Sequence, residues 1–392
     1  MNSKIKSLLS CFIVFVLFST LFNFEVLAEG TEIKSSLKVE AKSALLVEPV
    51  SGVILFEQNS HQKLAPASVT KIMTMLLAME AIDSGKVKLS DKVTVSENAK
   101  KMGGSSMILD TGEIRTVEEL LKGIAIASGN DAAVAVAEYL GGSEEAFVEL
   151  MNKRAAELNM TDTSFKNCTG LSAPGHLTSA FDIMLMSKEL LKHPTILKYS
   201  GTYMETITEG RKTPIGLVNH NKLVRFFKGC DGLKTGFTDE AKYCMSATAT
   251  RDGVRMLAVI MGADTFKTRN RDASMLMNYG FSKFDSKKVI TKDADVERII
   301  LGKKSDKYFI AKAAQDLVII YEKGKNVKIT KKCIIDDLKK EIKIGERVGY
   351  CEVYMDGKLV GKVTIYSDRD MKKPGFWNNF KNNMGDLFDN SL

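Results

Sequence analysis

The sequence lacks the residue patterns that most metal and redox enzymes need. Its 392 residues hold six cysteines, none in a C-x-x-C spacing that would read as zinc or redox chemistry. Histidine is scarcer. His61, His176, His193 and His220 are the only four, and no H-x-x-H or H-E-x-x-H spacing occurs. None of them sits beside a nucleophile motif, so neither a metal site nor a Ser-His-Asp triad is expected, and no cofactor is implied. Lys and Arg nowhere cluster with interleaved aromatics, which removes nucleic acid from the expected partners. Beyond one apolar run near the start there is no second long apolar segment, so the body of the chain is expected to be soluble. Internal repeats and low-complexity tracts are absent too.

The one apolar run has a familiar layout. Lys4 and Lys6 give a positive start, Leu8 to Phe22 are almost wholly apolar, and Val26-Leu27-Ala28 precede a polar stretch. This predicts a secretory signal peptide over residues 1–28. The run is short for a bilayer span. Cys11 precedes the apolar core, which does not suit lipidation. The formal charge is +8; residues 1–28 carry Lys4, Lys6 and Glu25, so the remainder carries +7. A modestly basic exported protein suits an anionic envelope surface. Five cysteines remain after cleavage, namely Cys168, Cys230, Cys244, Cys333 and Cys351. An odd number leaves at least one thiol unpaired within a monomer, and small buried residues are the plainer reading of all five.

The length calls for two or more domains. A polar leader covers 29–37. Residues 38–283 hold the mixed helix and strand signals and predict an α/β catalytic domain, an antiparallel sheet flanked by helices. Two strands are expected within Ser43 to Phe56 around Pro49-Val50-Ser51-Gly52. A long apolar helix follows Pro66. Glu118 to Leu140 read as two helices broken near Ser128-Gly129-Asn130, and Phe147 to Leu158 and Ile183 to Leu191 as two more. Tyr243–Thr250 and Val254–Gly262 read as strands joined by Arg251-Asp252-Gly253. Arg269 to Tyr279 read as a helix with Gly280 as its C′ residue. Residues 285–370 are rich in Lys, Val and Ile, with β-like runs at Asp316–Tyr321, Val327–Ile329, Val348–Met355 and Lys358–Tyr366 and a turn at Asp356-Gly357. They predict a small all-β domain. Residues 371–392 form a separate tail.

Three stretches carry potential chemistry. The first is Ser68-Val69-Thr70-Lys71, at the mouth of the apolar helix. Positions i and i+3 share a helical face, so Ser68 and Lys71 point together. A hydroxyl becomes a nucleophile when a neighbouring base takes its proton, and a lysine held neutral can be that base. S-x-x-K also occurs at Ser3/Lys6, Ser35/Lys38 and Ser60/Lys63; only Ser68 has a deeply apolar helix behind it. The second is Ser128-Gly129-Asn130, a polar triplet inside small and apolar residues, in which a hydroxyl and an amide two apart face one cavity if the turn is not helical. The third is Lys234-Thr235-Gly236-Phe237. Its lysine and threonine are suitable donors for a carboxylate, and Gly236 lets a ligand approach the backbone. Taken singly, each stretch also reads as structure: an N-cap serine with a solvated lysine, a capped helix break, and a hairpin with a surface lysine.

In this order and spacing the three resemble the low-molecular-mass penicillin-binding proteins, the D-alanyl-D-alanine carboxypeptidases of the S11 serine peptidase family. Ala65-Pro66-Ala67-Ser68, Cys168-Thr169-Gly170-Leu171, Thr178 to Asp182, Asn219-His220-Asn221-Lys222-Leu223 and Asn278-Tyr279-Gly280-Phe281 fit the same resemblance. It covers residues 38–283 strongly and the remainder in layout only. It implies that Ser68 forms the acyl-enzyme, Lys71 is the general base, and Ser128 shuttles the proton. It implies further that Asn130 binds the substrate amide, and that Lys234 and Thr235 hold the terminal carboxylate region. It also implies that the backbone N–H groups of Ser68 and Phe237 make the oxyanion hole, and that Arg269 supports the Lys-Thr-Gly strand and the substrate carboxylate. The implied partners are peptidoglycan stem peptides and β-lactam antibiotics.

Two other readings share these motifs. A class A β-lactamase would carry Ser-Asp-Asn at 128–130 and a deacylating glutamate; Glu157-Leu158-Asn159 lacks the spacing for one. A non-catalytic wall-binding or penicillin-sensing module would not need the intact serine, lysines and asparagine. In the tail, Pro374 suits a first helical turn, and Phe376, Phe380, Met384, Leu387 and Phe388 share one helical face. Trp377, the only tryptophan, suits a headgroup region. An amphipathic anchor on the outer face of the cytoplasmic membrane is the expectation.

Overall fold

The computed structural model describes residues 37–210, 213–301, 308–336 and 341–372. The expected signal peptide, the leader up to Ser36 and the tail from Lys373 lie outside the described residues.

A five-stranded sheet organises the larger part. Its strands are β1 (Ser43–Glu48), β2 (Val53–Gln58), β3 (Cys230–Thr238), β4 (Lys242–Arg251) and β5 (Val254–Ala263). They lie in the order β2-β1-β5-β4-β3, every neighbouring pair antiparallel. All six residues of β1 are buried, as a strand covered on both faces requires. Successive side chains take opposite faces, and two cores result. Leu45 and Val47 pack with the large helical core, while Ala44 and Leu46 face the other side. The turn after β1 forms because the Glu48 carboxylate accepts from the N–H groups of Val50 and Ser51. Between β4 and β5, Asp252 and Gly253 both have positive φ, the backbone that a two-residue hairpin favours.

On the large-core face lie α1 (Lys71–Asp83), α2 (Val117–Ala127), α3 (Asn130–Gly141), α4 (Glu144–Glu157) and α5 (Ala180–Leu190). Helix α1 is buried nearly all round, through Ile72, Met73, Met75, Leu76, Ala78 and Met79, which marks a core helix. Helix α2 starts on a capping box between Thr116 and Glu119 and stops at Ser128, whose φ is +62°. The opposite face carries α6 (Phe266–Lys283), packed on Met245, Met256, Ala258 and Ile260. This is the expected class, an antiparallel sheet with helices on both sides.

Three local expectations are corrected. Ser68 to Thr70 belong to a 3₁₀ turn, Ala67–Thr70, which precedes α1; residues i and i+3 eclipse in that geometry, so Ser68 and Lys71 still share a side. Gly280 does not cap α6, which continues to Lys283. A Cβ on Gly280 would stand 2.7 Å from Met256 Sδ, so the glycine admits close helix–sheet packing. The run at Val327 begins a strand only at Ile329 and extends it to Ile335.

From Phe284 onward the chain is β-rich. Phe284–Ile290 pairs with Leu317–Glu322. A five-stranded antiparallel sheet then runs Asp295–Ile300, Tyr308–Ala313, Lys358–Ser367, Arg347–Met355, Ile329–Ile335. Phe309, Val348, Cys351, Val353, Val363 and Ile365 form its core. Met371 and Lys372, assigned to the tail from sequence, instead pair with Ile342 and Glu341.

Candidate active site

Ser68 stands on a strained turn. Ala67 before it has φ +47°, a left-handed backbone that costs a non-glycine residue energy. Two glycines from distant segments press on this turn. A Cβ on Gly170 would lie 1.9 Å from the Ala67 carbonyl oxygen, and one on Gly236 would lie 2.9 Å from Ser68 N. Neither position tolerates a side chain, so the Asn167–Leu171 loop and the end of β3 can both close around Ser68. The loop is held by Asn167, whose Oδ1 accepts from the N–H groups of Thr169 and Gly170.

Lys71 is fully buried. Its Nζ lies 3.0 Å from Ser68 Oγ, and it donates to Asn130 Oδ1 and to Thr169 O, each at 2.6 Å. A neutral amine has two hydrogens and one lone pair. With both hydrogens committed to Asn130 and Thr169, the lone pair is left for the Ser68 hydroxyl; once protonated, the third hydrogen occupies that direction. Burial pulls the Lys71 pKa down to about 7, with neighbouring Cys168 and Asp131 opposing the shift. The geometry thus suits a base operating near neutral pH.

Asn130 is fixed in turn. Its N–H donates to Ser105 O and its side-chain Nδ2 to Gly103 O. Next to it the buried Asp131 carboxylate accepts from Met107 N, Leu109 N and Ser106 Oγ, tying the 103–109 loop to the Ser128–Asn130 corner. Ser128 sits buried at that corner. On the other side, Lys166 N–H donates to His176 Nδ1. This puts the neutral ring's proton on Nε2, which is 2.8 Å from Thr70 Oγ1. Burial lowers the His176 pKa to about 4, so the ring stays neutral and steadies the residue between Ser68 and Lys71.

Strand β3 borders the site as the outermost strand of the sheet. Lys234 and Thr235 are buried, and Lys234 Nζ donates to Thr235 O at 2.8 Å. Behind β3, Asn221 Nδ2 donates to Gly232 O. Arg269, buried, donates to Asn270 Oδ1 and lies 5.9 Å over the Tyr243 ring. Its neighbour Arg271 turns instead to Glu40 and Asp272. Tyr243 also stacks on half-exposed Phe237 at 4.4 Å. Burial, then the Lys71 and Arg269 charges, push the Lys234 pKa well down, and burial lowers Arg269 to about 10. Among the described residues no carboxylate forms an ion pair with Lys71, Lys234 or Arg269. An anionic ligand beside Lys234 and Arg269 would oppose these downward shifts and favour their charged forms. No group of three metal-ligating side chains occurs among the described residues.

Ser68, Lys71 and Asn130 therefore meet directly, with Gly236 against the serine. Sequence reasoning gave no role to Asp131, to the Thr169 carbonyl or to the Thr70–His176 contact, and only the resemblance flagged Gly170. The family described as D-alanyl-D-alanine carboxypeptidase matches residues 30–265.

This chain belongs to that family.

The C-terminal domain of penicillin-binding protein 5 matches residues 284–373. D-alanyl-D-alanine carboxypeptidase DacF of Bacillus subtilis is 43% identical over 97% of this chain and 98% of its own length. Penicillin-binding protein 5 from Haemophilus influenzae superposes with a TM-score of 0.73 at 29% identity, covering 86% of this chain and 99% of that one. Penicillin-binding protein D2 from Listeria monocytogenes, solved in an ampicillin-bound form, has 31% identity and a TM-score of 0.57, covering 63% of this chain and all of that one. The S11 carboxypeptidase described here is accordingly a serine-type D-Ala-D-Ala hydrolase of the cell wall with the penicillin-binding fold.

Proposed function

We propose that this carboxypeptidase removes the terminal D-alanine of stem pentapeptides through an acyl-enzyme on Ser68. The three contacts of Lys71 Nζ carry the reading. Lys71 takes the Ser68 proton as Oγ attacks the penultimate carbonyl. The oxyanion is held by the N–H groups of Ser68 and Phe237; losing one such donor costs about 10²–10³ in rate. Ser128 relays the proton to the departing amine, the C–N bond breaks, and water then hydrolyses the ester. Asn130 orients the substrate amide. Lys234, Thr235 and Arg269 receive the terminal carboxylate, the lysine and arginine through charge and the threonine through its hydroxyl.

The carboxylate role has a direct test. Lys234→Ala is expected to weaken kcat/KM by about 10–100-fold for substrates with a free terminal carboxylate, and much less for the corresponding amides. Equal losses on both would remove Lys234 from that role.

Penicillin is attacked in the same way, but its leaving amine stays tethered. No carboxylate is hydrogen-bonded to Ser68 or Lys71 among the described residues, and Glu157 pairs with Arg154. The penicilloyl ester is therefore expected to persist for many turnovers' worth of D-alanine release. Turnover of penicillin at a dedicated β-lactamase's rate would overturn this and favour the lactamase reading.

We further propose export, with cleavage after Ala28, and action on the outer face of the cytoplasmic membrane. No helix among the described residues is long and apolar enough to cross a membrane. The amphipathic pattern from Pro374 onward supports attachment by the tail. Since Met371 and Lys372 belong to a β pair, the informative deletion is 374–392. It is expected to move the enzyme from the membrane to the soluble fraction with penicillin labelling intact. A full-length enzyme already soluble and indifferent to anionic vesicles at low salt would refute the anchor.

A further inference from the structure

Cys333 and Cys351 are direct partners on adjacent antiparallel strands of the C-terminal sheet, in a ladder without register shifts. The kind of pair they form follows from the two ends of that ladder. Asp336 N–H donates to Val348 O, and Asp356 N–H donates to Lys328 O, both at 2.9 Å. These are hydrogen-bonded pairs, and hydrogen-bonded and non-hydrogen-bonded pairs alternate along an antiparallel ladder. Stepping inward from either end, Cys333 and Cys351 fall on a non-hydrogen-bonded pair. There the Cα atoms are about 4.5 Å apart and the side chains closest, within the ~4.4–6.8 Å span that a disulfide bridges.

Both side chains belong to the inward face. Cys351 is fully buried in the β core and half-buried Cys333 packs against it. Burial raises the Cys333 pKa, and the neighbouring Cys351 thiol adds to the shift. The other three described cysteines have no such partner. Cys168 lies against Glu144, Cys230 against Asn221, and Cys244 against the Ala241 carbonyl. On the sheet, Cys230 stands opposite Ala249 and Cys244 opposite Gly236.

We propose that Cys333 and Cys351 are a disulfide site, closed by thiol–disulfide exchange with a small-molecule disulfide, that staples the strands Ile329–Ile335 and Arg347–Met355. Cys333, the more accessible, gives up its proton, attacks the small disulfide and releases one thiol, leaving a mixed disulfide. Cys351 then loses its proton and attacks the Cys333 sulfur, expelling the second thiol. Two protein thiols are oxidised and one small disulfide is reduced to two thiols. Exchange needs the thiolate, so the raised Cys333 pKa makes closure slow at neutral pH and faster in mild alkali. An extracytoplasmic setting would favour the oxidised form. This site is independent of the catalytic reading, since the catalytic residues lie on elements that precede Phe284.

The test uses the purified full chain. It is incubated with glutathione disulfide at pH 8.5, alkylated under denaturing conditions, digested and mapped by mass spectrometry without reduction. The expected product is one cross-linked species joining the Cys333 and Cys351 peptides, lighter by two hydrogens than their sum and lost on reduction. Cys333→Ser and Cys351→Ser each abolish it. Penicillin labelling of the oxidised protein stays at the reduced level. Recovery of both cysteines alkylated would overturn the proposal. So would recovery of Cys333 only as its glutathione adduct, or of Cys351 linked elsewhere. Because the decisive map is made on the unsubstituted protein, a variant that folds poorly does not blunt it.

Discussion

Ser68→Ala is expected to eliminate both penicillin labelling and D-alanine release, with a loss on the order of 10⁴-fold or more. Among the described residues the Ser68 hydroxyl is the one hydroxyl hydrogen-bonded to the Lys71 amine, at 3.0 Å. The substitution removes a single oxygen from a partly exposed turn and keeps the Cβ that the turn already accommodates, so the fold should hold. Mass spectrometry after exposure to penicillin checks the outcome. A covalent adduct on the variant would mean that another residue is the nucleophile.

Lys71→Ala carries the second large effect. General-base catalysis contributes about 10²–10⁴-fold, and a loss of that size is expected in acylation by both substrate and penicillin. The variant leaves Asn130 Oδ1 and Thr169 O without their buried donor, at about 1–3 kcal/mol each. It also removes a buried amine, so a modest change in melting temperature should accompany the catalytic loss. The pH profile separates the base from a merely structural residue. The active form is the neutral amine, so below its pKa of about 7 the parent enzyme's acylation rate should fall about tenfold per pH unit. In Lys71→Ala that limb should vanish, leaving a low, flat rate. A limb of unchanged position in the variant would assign the titration to another group.

How much of this was legible beforehand depended on the range of the interactions. The β4–β5 hairpin was readable because Asp252-Gly253 is a local signal between two apolar runs. The break between α2 and α3 was readable because Ser128-Gly129-Asn130 interrupts a helical pattern. Ser68 and Lys71 were readable as an i, i+3 pair; three other S-x-x-K spacings occur, and the apolar helix behind Ser68 set it apart, while the resemblance supplied its role. The remaining features are long-range. Lys71 reaches Asn130 across 59 residues and the Thr169 carbonyl across 98. Asp131 reads as an ordinary acid in the first turn of a helix, while its work is done on a loop 22–25 residues earlier. Gly280 misled for the same reason. A glycine late in a helical stretch resembles a stop, and nothing local reveals Met256 on the facing strand.

The closure of Gly170 and Gly236 on the Ser68 turn bears on when reactivity is born. The serine and lysine are among the early residues to be synthesised, yet the groups that align them arrive with the Asn167–Leu171 loop and with β3, whose sheet partner β4 comes later still. Contacts so distant in sequence form late, because their loop-closure entropy must first be offset. An emerging or half-folded chain would thus carry both residues in an inert arrangement. Penicillin reactivity in this enzyme becomes a clock for the last step of domain assembly: a pulse of labelled antibiotic during refolding should mark only molecules in which β3 has docked.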